Sequence, residues 1–235
     1  MSDKGHRSPF YRYPVPLFPP MEMNPNKLVE AVYTKVDVSA NQLTHSEWNR
    51  ARPVKITRYW SGVEAPASRH AEARLIWSDT ALGVRFVCRQ EEPLVVNPTP
   101  QTKKKTMQLW DRDVCEIFMA PDPSQPERYF EFEAAPTGEW IDLALYWKPD
   151  SRETDWDFHS GMTAGAQIGK GQVIIAMRIP WDDWIHKPQR GERWKANLFR
   201  CVGSGRDRGY LAWQPTRTPE PAFHVPQAFG GLVFV

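Results

Sequence analysis

Short apolar or alternating runs recur along most of the chain. They are rich in Val, Ile, Phe, Tyr and Trp and are bounded by Pro, Gly, Asn or Asp, which is the pattern of β-strands joined by turns. The runs cover residues 28–36, 54–59, 72–77, 82–88, 114–119, 129–134, 140–147, 162–168, 173–179, 195–202 and 209–213. The sequence therefore predicts an all-β protein of about eleven strands.

The connections between these runs carry turn residues and leave little room for helix. Pro and Gly at residues 136–138, and two glycines at residues 169–171, each separate adjacent strand-like runs and predict hairpins. No long window has a 3.6-residue apolar period with caps. We expect at most one or two short helices, at residues 44–51 and at residues 180–185, where Pro180 suits a first helical turn.

The prolines divide the chain into an arm and a folded part. The arm, residues 1–26, is too rich in proline for helix interior or central strand. Its prolines are Pro9, Pro14, Pro16, Pro19, Pro20 and Pro25. Residues 27–235 are long enough to bury a substantial core and are predicted to form one domain.

Composition excludes several classes of partner. Hydrophobic residues make up 41% and charged residues 25%, which is ordinary for a globular chain. A net charge of +2 lacks the basic footprint of a nucleic-acid binder. The sequence contains no apolar run of roughly 18 residues, the length that would predict a membrane helix. The first twenty residues lack an apolar signal core, so we expect a cytoplasmic protein, or an extracellular or periplasmic one if the sequence is a mature form.

Two further sequence features carry structural expectations. Cys88, Cys115 and Cys201 lie in strand-like runs without metal-ligand spacing, so we interpret them as buried thiols; Cys88 and Cys115 can pair only if their strands are neighbours. The lysines at residues 103–105 are predicted to form a solvated loop patch.

Aromatic residues and one charged loop are the candidate binding chemistry. The chain has 11 Trp, 11 Phe and 7 Tyr, most of which we expect in the core. Exposed rings can stack on the C–H face of a pyranose while carboxylates and amides bind its hydroxyls. Residues 109–118 run from Trp110 through three charges into a strand interrupted by Glu116. Glu116 either pairs with a cation such as Arg112 or faces a ligand, because unpaired burial is costly.

The spacing Trp110-x-x-Asp113-x-x-Glu116-Ile117-Phe118 resembles the signature of the family 9 carbohydrate-binding modules and their family-9-like relatives. Other segments resemble the family in the same order, so the similarity spans roughly residues 28–235. They are residues 37–48, 75–78, 82–86, 129–142, 173–181 ending in Ile-Pro-Trp, 191–200, 213–215 and 223–232.

The resemblance implies an immunoglobulin-like or jelly-roll-type β-sandwich that binds a mono- or oligosaccharide without catalysis. It implies a sugar held between the rings of Trp110 and Phe223, with Glu116 as a hydroxyl-binding carboxylate. The full predicted ligand-binding set is Trp110, Glu116, Phe223, Asp113, Arg112, Glu91 (or Glu92) and Glu220. A role in bacterial polysaccharide utilisation, in association with a glycoside hydrolase, follows from the same resemblance.

The sequence also departs from the pattern of sugar-binding members. Glu131 and Glu133 stand where an Arg can occur, and Glu220 or Pro221 stands where an amide is expected. A sandwich with a structural or protein-interaction role is therefore the alternative. The position of Asp113 at a strand entry also suits loop hydrogen bonding.

Catalytic, haem and metal functions have weaker signals. Asp113 and Glu116 should point to opposite faces of one strand, which makes them a poor hydrolase pair. Glu131, Glu133 and Asp142 are expected to be solvated. Haem-binding electron transfer is a second alternative. It has a weak signal, because the six histidines lack haem-ligand spacing. We expect no cofactor apart from a structural calcium, for which the acidic loop at residues 150–157 is a candidate.

Overall fold

The computed structural model describes residues 27–235 and is an all-β fold. The described residues form fourteen strands and five short 3-10 helices. The strands are β1 Leu28–Tyr33, β2 Val54–Ile56, β3 Arg58–Tyr59, β4 Ala71–Trp77, β5 Ala81–Arg89, β6 Val114–Ala120, β7 Arg128–Ala134, β8 Trp140–Lys148, β9 Ser151–Asp155, β10 Thr163–Gly169, β11 Gln172–Pro180, β12 Arg193–Val202, β13 Gly209–Ala212 and β14 Gly230–Phe234. The helices are Ser46–Arg50, Ala67–Arg69, Leu109–Asp111, Gly205–Asp207 and Pro226–Ala228.

The strands form one continuous sheet that curls into a sandwich. Their order is β10-β11-β5-β4-β1-β14-β12-β6-β7-β8-β9, with β2 on β4 and β13 between β12 and β3. Strand β1 runs parallel to both β4 and β14. We call β10-β11-β5-β4-β1 the first half-sheet and β14-β12-β6-β7-β8-β9 the second half-sheet. Parallel pairing at β1 thus joins two largely antiparallel half-sheets.

The main core lies between the half-sheets. Alternate residues of each strand point inward because side chains in a strand alternate between faces. Phe86 and Cys88 of β5 thereby belong to the same buried cluster as Ile117 of β6 and Phe132 of β7. The Sγ atoms of Cys88 and Cys115 lie 3.4 Å apart across this core, and both cysteines are free. Cys88, Cys115 and Cys201 are all buried, which confirms their interpretation as buried thiols.

A second apolar cluster covers the opposite side of the second half-sheet, which we call the outer face. It contains residues of β6, β7, β8 and β12 together with rings from two connecting loops. Phe118 is its central ring and packs edge-on against Phe199 at 5.0 Å. Most of β6, β7, β8 and β12 is consequently buried on both faces, which is why the sequences of these strands lack a clean polar alternation.

The strand prediction is confirmed in outline and corrected in detail. Residues 54–59 form two strands rather than one, and β9 and β14 were not predicted. β9 reads Ser-Arg-Glu-Thr-Asp and has no apolar face of its own, because it only extends the edge beside β8. The predicted turns at residues 136–138 and 169–171 are confirmed: Gly138 and Gly171 have φ of 81° and 70°.

The helix prediction is half right. A 3-10 helix occupies Ser46–Arg50, but residues 180–185 form no helix. There the carboxylate of Asp182 accepts hydrogen bonds from the backbone N–H groups of Trp184 and Ile185, at 2.8 and 2.7 Å, and stabilises a tight turn instead. Within residues 27–235, no helix has the length and apolarity needed to span a bilayer. The predicted arm, residues 1–26, lies outside the described residues.

Lys105 was wrongly predicted to be solvated. Its ammonium forms an ion pair with Asp142 at 2.9 Å and donates hydrogen bonds to the carbonyl oxygens of Asp142 and Phe158. The Asp142 side chain, also expected to be solvated, is fully buried and accepts from the backbone and hydroxyl of Ser160. This lysine joins the loop before β6 to β8 and to the segment after β9.

Candidate functional site

The outer face brings three glutamates from adjacent strands together. Glu116 lies on β6, and its register partner on β7 is Glu133. Glu131 is two residues earlier on β7 and therefore points to the same face. Carboxylate oxygens of the three residues lie within 4.8 Å of one another. We call these three residues the glutamate cluster.

The glutamate cluster is buried. Glu116, Glu131 and Glu133 are 2%, 3% and 0% exposed, so the expectation that Glu131 and Glu133 are solvated was wrong. Rings and loops packed on the outer face exclude water from this part of the sheet. Burial raises the pKa of Glu116 and of Glu133 well above the usual range, and the neighbouring carboxylates raise both pKa values further. Burial raises the pKa of Glu131 as well.

Few hydrogen bonds satisfy these carboxylates. The Cys201 thiol on β12 lies 3.5 Å from Oε1 of Glu116 and donates to it. Both oxygens of Glu133 and Oε2 of Glu131 have no hydrogen-bond partner among the described residues. Buried polar atoms without partners are uncommon in native proteins and call for a chemical explanation.

Two residues of the loop before β14 cover this face. Phe223 stacks on Phe199 with ring centroids 4.0 Å apart and an interplanar angle of 14°, and it is 8% exposed. His224 contacts the Tyr129 hydroxyl through Nδ1 at 2.9 Å and lies 3.8 Å from Glu131. Burial lowers the pKa of His224 to about 3. The imidazole is therefore neutral at physiological pH.

Partly exposed aromatic rings surround the cover. The ring centroids of Trp110 and Trp156 are 6.2 Å apart, with an interplanar angle of 45°, and Trp156 is 47% exposed. Trp60 packs edge-on against Tyr210 with ring centroids 6.2 Å apart, and Tyr210 packs edge-on against Phe223 with ring centroids 6.0 Å apart. We call Trp60, Trp110, Trp156 and Tyr210 the aromatic rim. It presents ring surface to solvent above an otherwise buried face.

Arg208 fixes the loop that carries Trp110. Its guanidinium donates to the carbonyl oxygens of Trp110 and Arg112, each at 2.6 Å, and to that of Gly203 at 2.7 Å. Gln108, just before this loop, has a left-handed φ of 58°. Three carbonyls held by one planar cation preorganise the Trp110 loop relative to β12 and β13.

Arg112 and Asp113 have structural partners. Arg112 lies 3.6 Å from Glu139 rather than pairing with Glu116. The carboxylate of Asp113 is 3% exposed and accepts from the backbone N–H groups of Gly203 at 2.8 Å and Val95 at 3.2 Å. The loop hydrogen bonding anticipated for Asp113 is confirmed.

The two peripheral acidic candidates lie apart from these contacts. Glu91 and Glu220 are exposed, and neither side chain has a hydrogen bond or ion pair among the described residues. Glu92, the alternative to Glu91, forms a bidentate ion pair with Arg69 at 2.7 and 2.8 Å. The structure therefore brings Glu116 and Phe223 onto one face and places Trp110 at its rim, without bringing Glu91 or Glu220 to the glutamate cluster.

Several residues of this face were missed by sequence reasoning. Sequence reasoning did not single out Trp156, Tyr210, Cys201 and His224, which are distant from the signature. Strand pairing brings Cys201 and Tyr210 beside it, and loops packed on the sheet bring Trp156 and His224. The acidic loop proposed for calcium contains β9, and Asp155 there accepts from the backbone N–H of Asp157 at 3.0 Å. Calcium binding by residues 150–157 remains a prediction.

Comparison with known proteins identifies the fold and the family. The chain resembles a protein from Bacteroides uniformis provisionally described as carbohydrate-binding (TM-score 0.70, 16% identity, 89% of this chain and 99% of that chain). It also resembles a family 9 carbohydrate-binding module from Caldicellulosiruptor kristjanssonii solved with cellotriose (TM-score 0.62, 14% identity, 88% and 93% covered) and with glucose (TM-score 0.62, 15% identity, 89% and 96% covered). No curated protein matched significantly.

The family model gives the more direct assignment. The model described as carbohydrate family 9 binding domain-like matches residues 41–235. The match includes β2 to β14 and therefore all strands that build the outer face. The chain belongs to the carbohydrate family 9 binding domain-like family.

Proposed function

We propose that this protein binds a mono- or oligosaccharide, without catalysis, at the aromatic rim of the outer face. The observation that carries the proposal is the contact of the partly exposed Trp110 with the half-exposed Trp156 beside a buried carboxylate-bearing sheet. Solved neighbours in complex with glucose and cellotriose make such ligands the first to test.

The chemistry of the rim suits a neutral ligand. Indole faces bury the apolar C–H surface of a pyranose, and nearby polar groups then select the hydroxyl pattern. A nearly neutral chain has no strong field with which to attract a polyanion. Trp110 is the central contact because Arg208 holds its loop in place before the ligand arrives.

Phe223 and Glu116 take part only after a local rearrangement. Phe223 already stacks on Phe199, so it can become a second wall only if its ring separates from that partner. Its movement would also uncover Glu116, which is 2% exposed. Loop rearrangements of this size on ligand binding are a recognised minority behaviour. In this proposal Trp110 makes the first contact, and Phe223 and Glu116 complete the clamp.

A binding role fits the carboxylates better than hydrolysis does. A glycosidase needs two carboxyl groups roughly 5–9.5 Å apart that flank an accessible bond. The glutamate cluster is buried on one sheet face. We therefore propose a sugar-binding rather than a hydrolytic role. Association with a glycoside hydrolase in polysaccharide utilisation is part of the same proposal and rests on the family to which the chain belongs.

The proposal is tested by calorimetric titration of the full chain with glucose and cellotriose, followed in parallel by tryptophan fluorescence. Trp110→Ala is expected to weaken binding about tenfold or more, by analogy with the stacking of nucleic-acid bases on aromatic side chains, which contributes about 1–3 kcal/mol per ring. Trp110→Phe should retain part of the affinity. Trp181→Phe, which changes a ring packed on the inter-sheet core, is the matched control. Saturable binding that Trp110→Ala leaves unchanged would contradict the proposal.

A further inference from the structure

We propose that the glutamate cluster is a binding site for one divalent cation of the oxygen-preferring class, such as Mn²⁺ or Ca²⁺. This inference goes beyond the proposed sugar binding and does not depend on it. Glu116 belongs to both, but the cation site is defined by Glu131 and Glu133 as well.

The first argument is geometric. Carboxylate oxygens from Glu116, Glu131 and Glu133 lie within 4.8 Å of one another. Two ligands that each lie about 2.3–2.6 Å from one ion can be at most about 5 Å apart. The three side chains thus converge on a volume that one ion can share. They are anchored on two paired strands, β6 and β7, so the arrangement is set by the sheet register rather than by a loop.

The second argument comes from hydrogen bonds. Glu133 is 0% exposed, and neither of its oxygens has a hydrogen-bond partner among the described residues. Oε2 of Glu131 is likewise unpartnered at 3% exposure. A buried carboxylate normally accepts several hydrogen bonds. Here the oxygens of Glu131 and Glu133 face each other, and two carboxyl groups can form a hydrogen bond only while one of them keeps its proton. A metal cation is a partner that can accept lone pairs from several of these oxygens at once.

The third argument is charge balance. In the described part of the chain, no Lys or Arg lies within ion-pair distance of the three carboxylates, and His224 at 3.8 Å from Glu131 is their closest basic side chain. Arg208 directs its guanidinium to the carbonyl oxygens of Trp110, Arg112 and Gly203. Arg208 and Arg152 attract Glu116 and Glu131 only from beyond ion-pair distance, and three ionised carboxylates with no closer counter-charge would be very costly inside a protein. A divalent cation would neutralise most of this charge.

The ligand set indicates the class of metal. Carboxylate oxygens suit Mg²⁺, Ca²⁺ and Mn²⁺, whereas thiolate-rich sites select softer ions. Among residues 27–235, the sulfur that contacts the cluster is that of Cys201, whose thiol already donates to Glu116. His224 is close enough to contribute a nitrogen after a small shift, which Mn²⁺ accepts more readily than Ca²⁺ does.

The test uses the full chain, treated with a chelator and then titrated with Mn²⁺ or Ca²⁺ in the absence of sugar. Electron paramagnetic resonance of free Mn²⁺ gives the stoichiometry, and thermal unfolding gives the effect on Tm. We expect one Mn²⁺ per chain, displaced by Ca²⁺, and a rise in Tm of about 5 °C at one hundred times the Kd.

Two variants decide whether the glutamate cluster is the site. Glu133→Gln removes one buried charge without changing side-chain size, so it should fold and should bind Mn²⁺ at least tenfold more weakly. Glu153→Gln is the matched control, because Glu153 is an exposed glutamate on β9 that pairs only with Lys148. It should bind Mn²⁺ like the parent chain.

Absence of Mn²⁺ and Ca²⁺ binding by the parent chain at millimolar concentration would overturn the proposal and indicate that protons neutralise the cluster. Equal Mn²⁺ affinity in the parent and in Glu133→Gln would also overturn it. If Glu133→Gln does not fold, Glu131→Gln serves as the second variant with the same expected loss. Sugar affinity is measured separately, so failure of sugar binding leaves this result standing.

Discussion

Asp113 illustrates how one buried carboxylate positions the loops around the outer face. It accepts backbone hydrogen bonds from Gly203 and Val95, which belong to segments far from it in sequence. Desolvation by burial raises its pKa, and these hydrogen bonds oppose that rise. Asp113 therefore connects the Trp110 loop to the end of β12 and to the segment after β5.

We expect Asp113→Ala to lower the free energy of unfolding by about 1–3 kcal/mol, because two buried backbone N–H groups lose their acceptor. Chemical denaturation measures this change. Asp111→Ala is the matched control, since Asp111 is exposed and should change stability by less than about 0.5 kcal/mol. Equal effects of the two substitutions would show that the Asp113 hydrogen bonds contribute little.

At the same scale, the sequence identified some residues of the outer face but not their environment. The signature spacing was enough to single out Trp110, Asp113 and Glu116. It could not show that Glu116 faces Glu133, because that contact depends on the register between β6 and β7. A glutamate in a strand is usually solvated, and only the rings packed from distant loops make these residues buried.

Individual elements depend on close backbone contacts that a sequence pattern cannot reveal. Gly165 in β10 lies against the loop before the first 3-10 helix: a Cβ at this position would be 2.4 Å from the carbonyl oxygen of Ala40. Gly169 at the end of the same strand has its nearest such contact at 3.6 Å, with the carbonyl oxygen of Gln172. The two glycines therefore differ in packing rather than in secondary structure.

We expect Gly165→Ala to destabilise the protein by about 1–3 kcal/mol, because the loop must move away from β10 to admit the methyl group. Gly169→Ala should change stability by less than about 1 kcal/mol, since its site has room for the methyl group. Denaturation midpoints of the two variants give the comparison. A Gly165→Ala variant as stable as the parent would show that residues around Ala40 do not pack tightly on β10.

Strand prediction succeeded where a strand has an inward-facing apolar series and failed where it lacks one. β4 and β5 were located within one residue because both carry an apolar residue at every second position, from Ala71 to Trp77 and from Leu82 to Cys88. β9 is polar and forms only through pairing with β8, whereas β14 begins with two glycines that provide no side-chain signal. Both are tertiary effects, in which a neighbouring strand determines the conformation.

At the scale of the whole molecule, residues 27–235 contain a complete pair of half-sheets. β1 begins at Leu28 and is paired on both sides, and the described residues of both half-sheets supply the main core between them. The fold class and the family could be predicted because many weak segments occur in a fixed order. The closure of one sheet through parallel pairing at β1 could not be predicted, because the pattern of apolar and polar residues does not encode strand order.

We expect a chain of residues 27–235 to fold alone and to unfold in one cooperative transition with a Tm close to that of the full chain. The reason is that residues 27–235 supply both half-sheets and a large buried apolar cluster between them. Differential scanning calorimetry of both chains provides the measurement. A fall in Tm of more than about 5 °C in the shorter chain would show that residues 1–26 contribute to the fold.

The central claim, that the aromatic rim binds sugar, is tested most directly by nuclear magnetic resonance of the indole N–H groups during titration with cellotriose. The account predicts that the signals of Trp110 and Trp156 shift saturably, while those of the buried Trp48 and Trp194 do not. Saturable shifts confined to tryptophans away from the rim, or no shift at any sugar concentration, would contradict it.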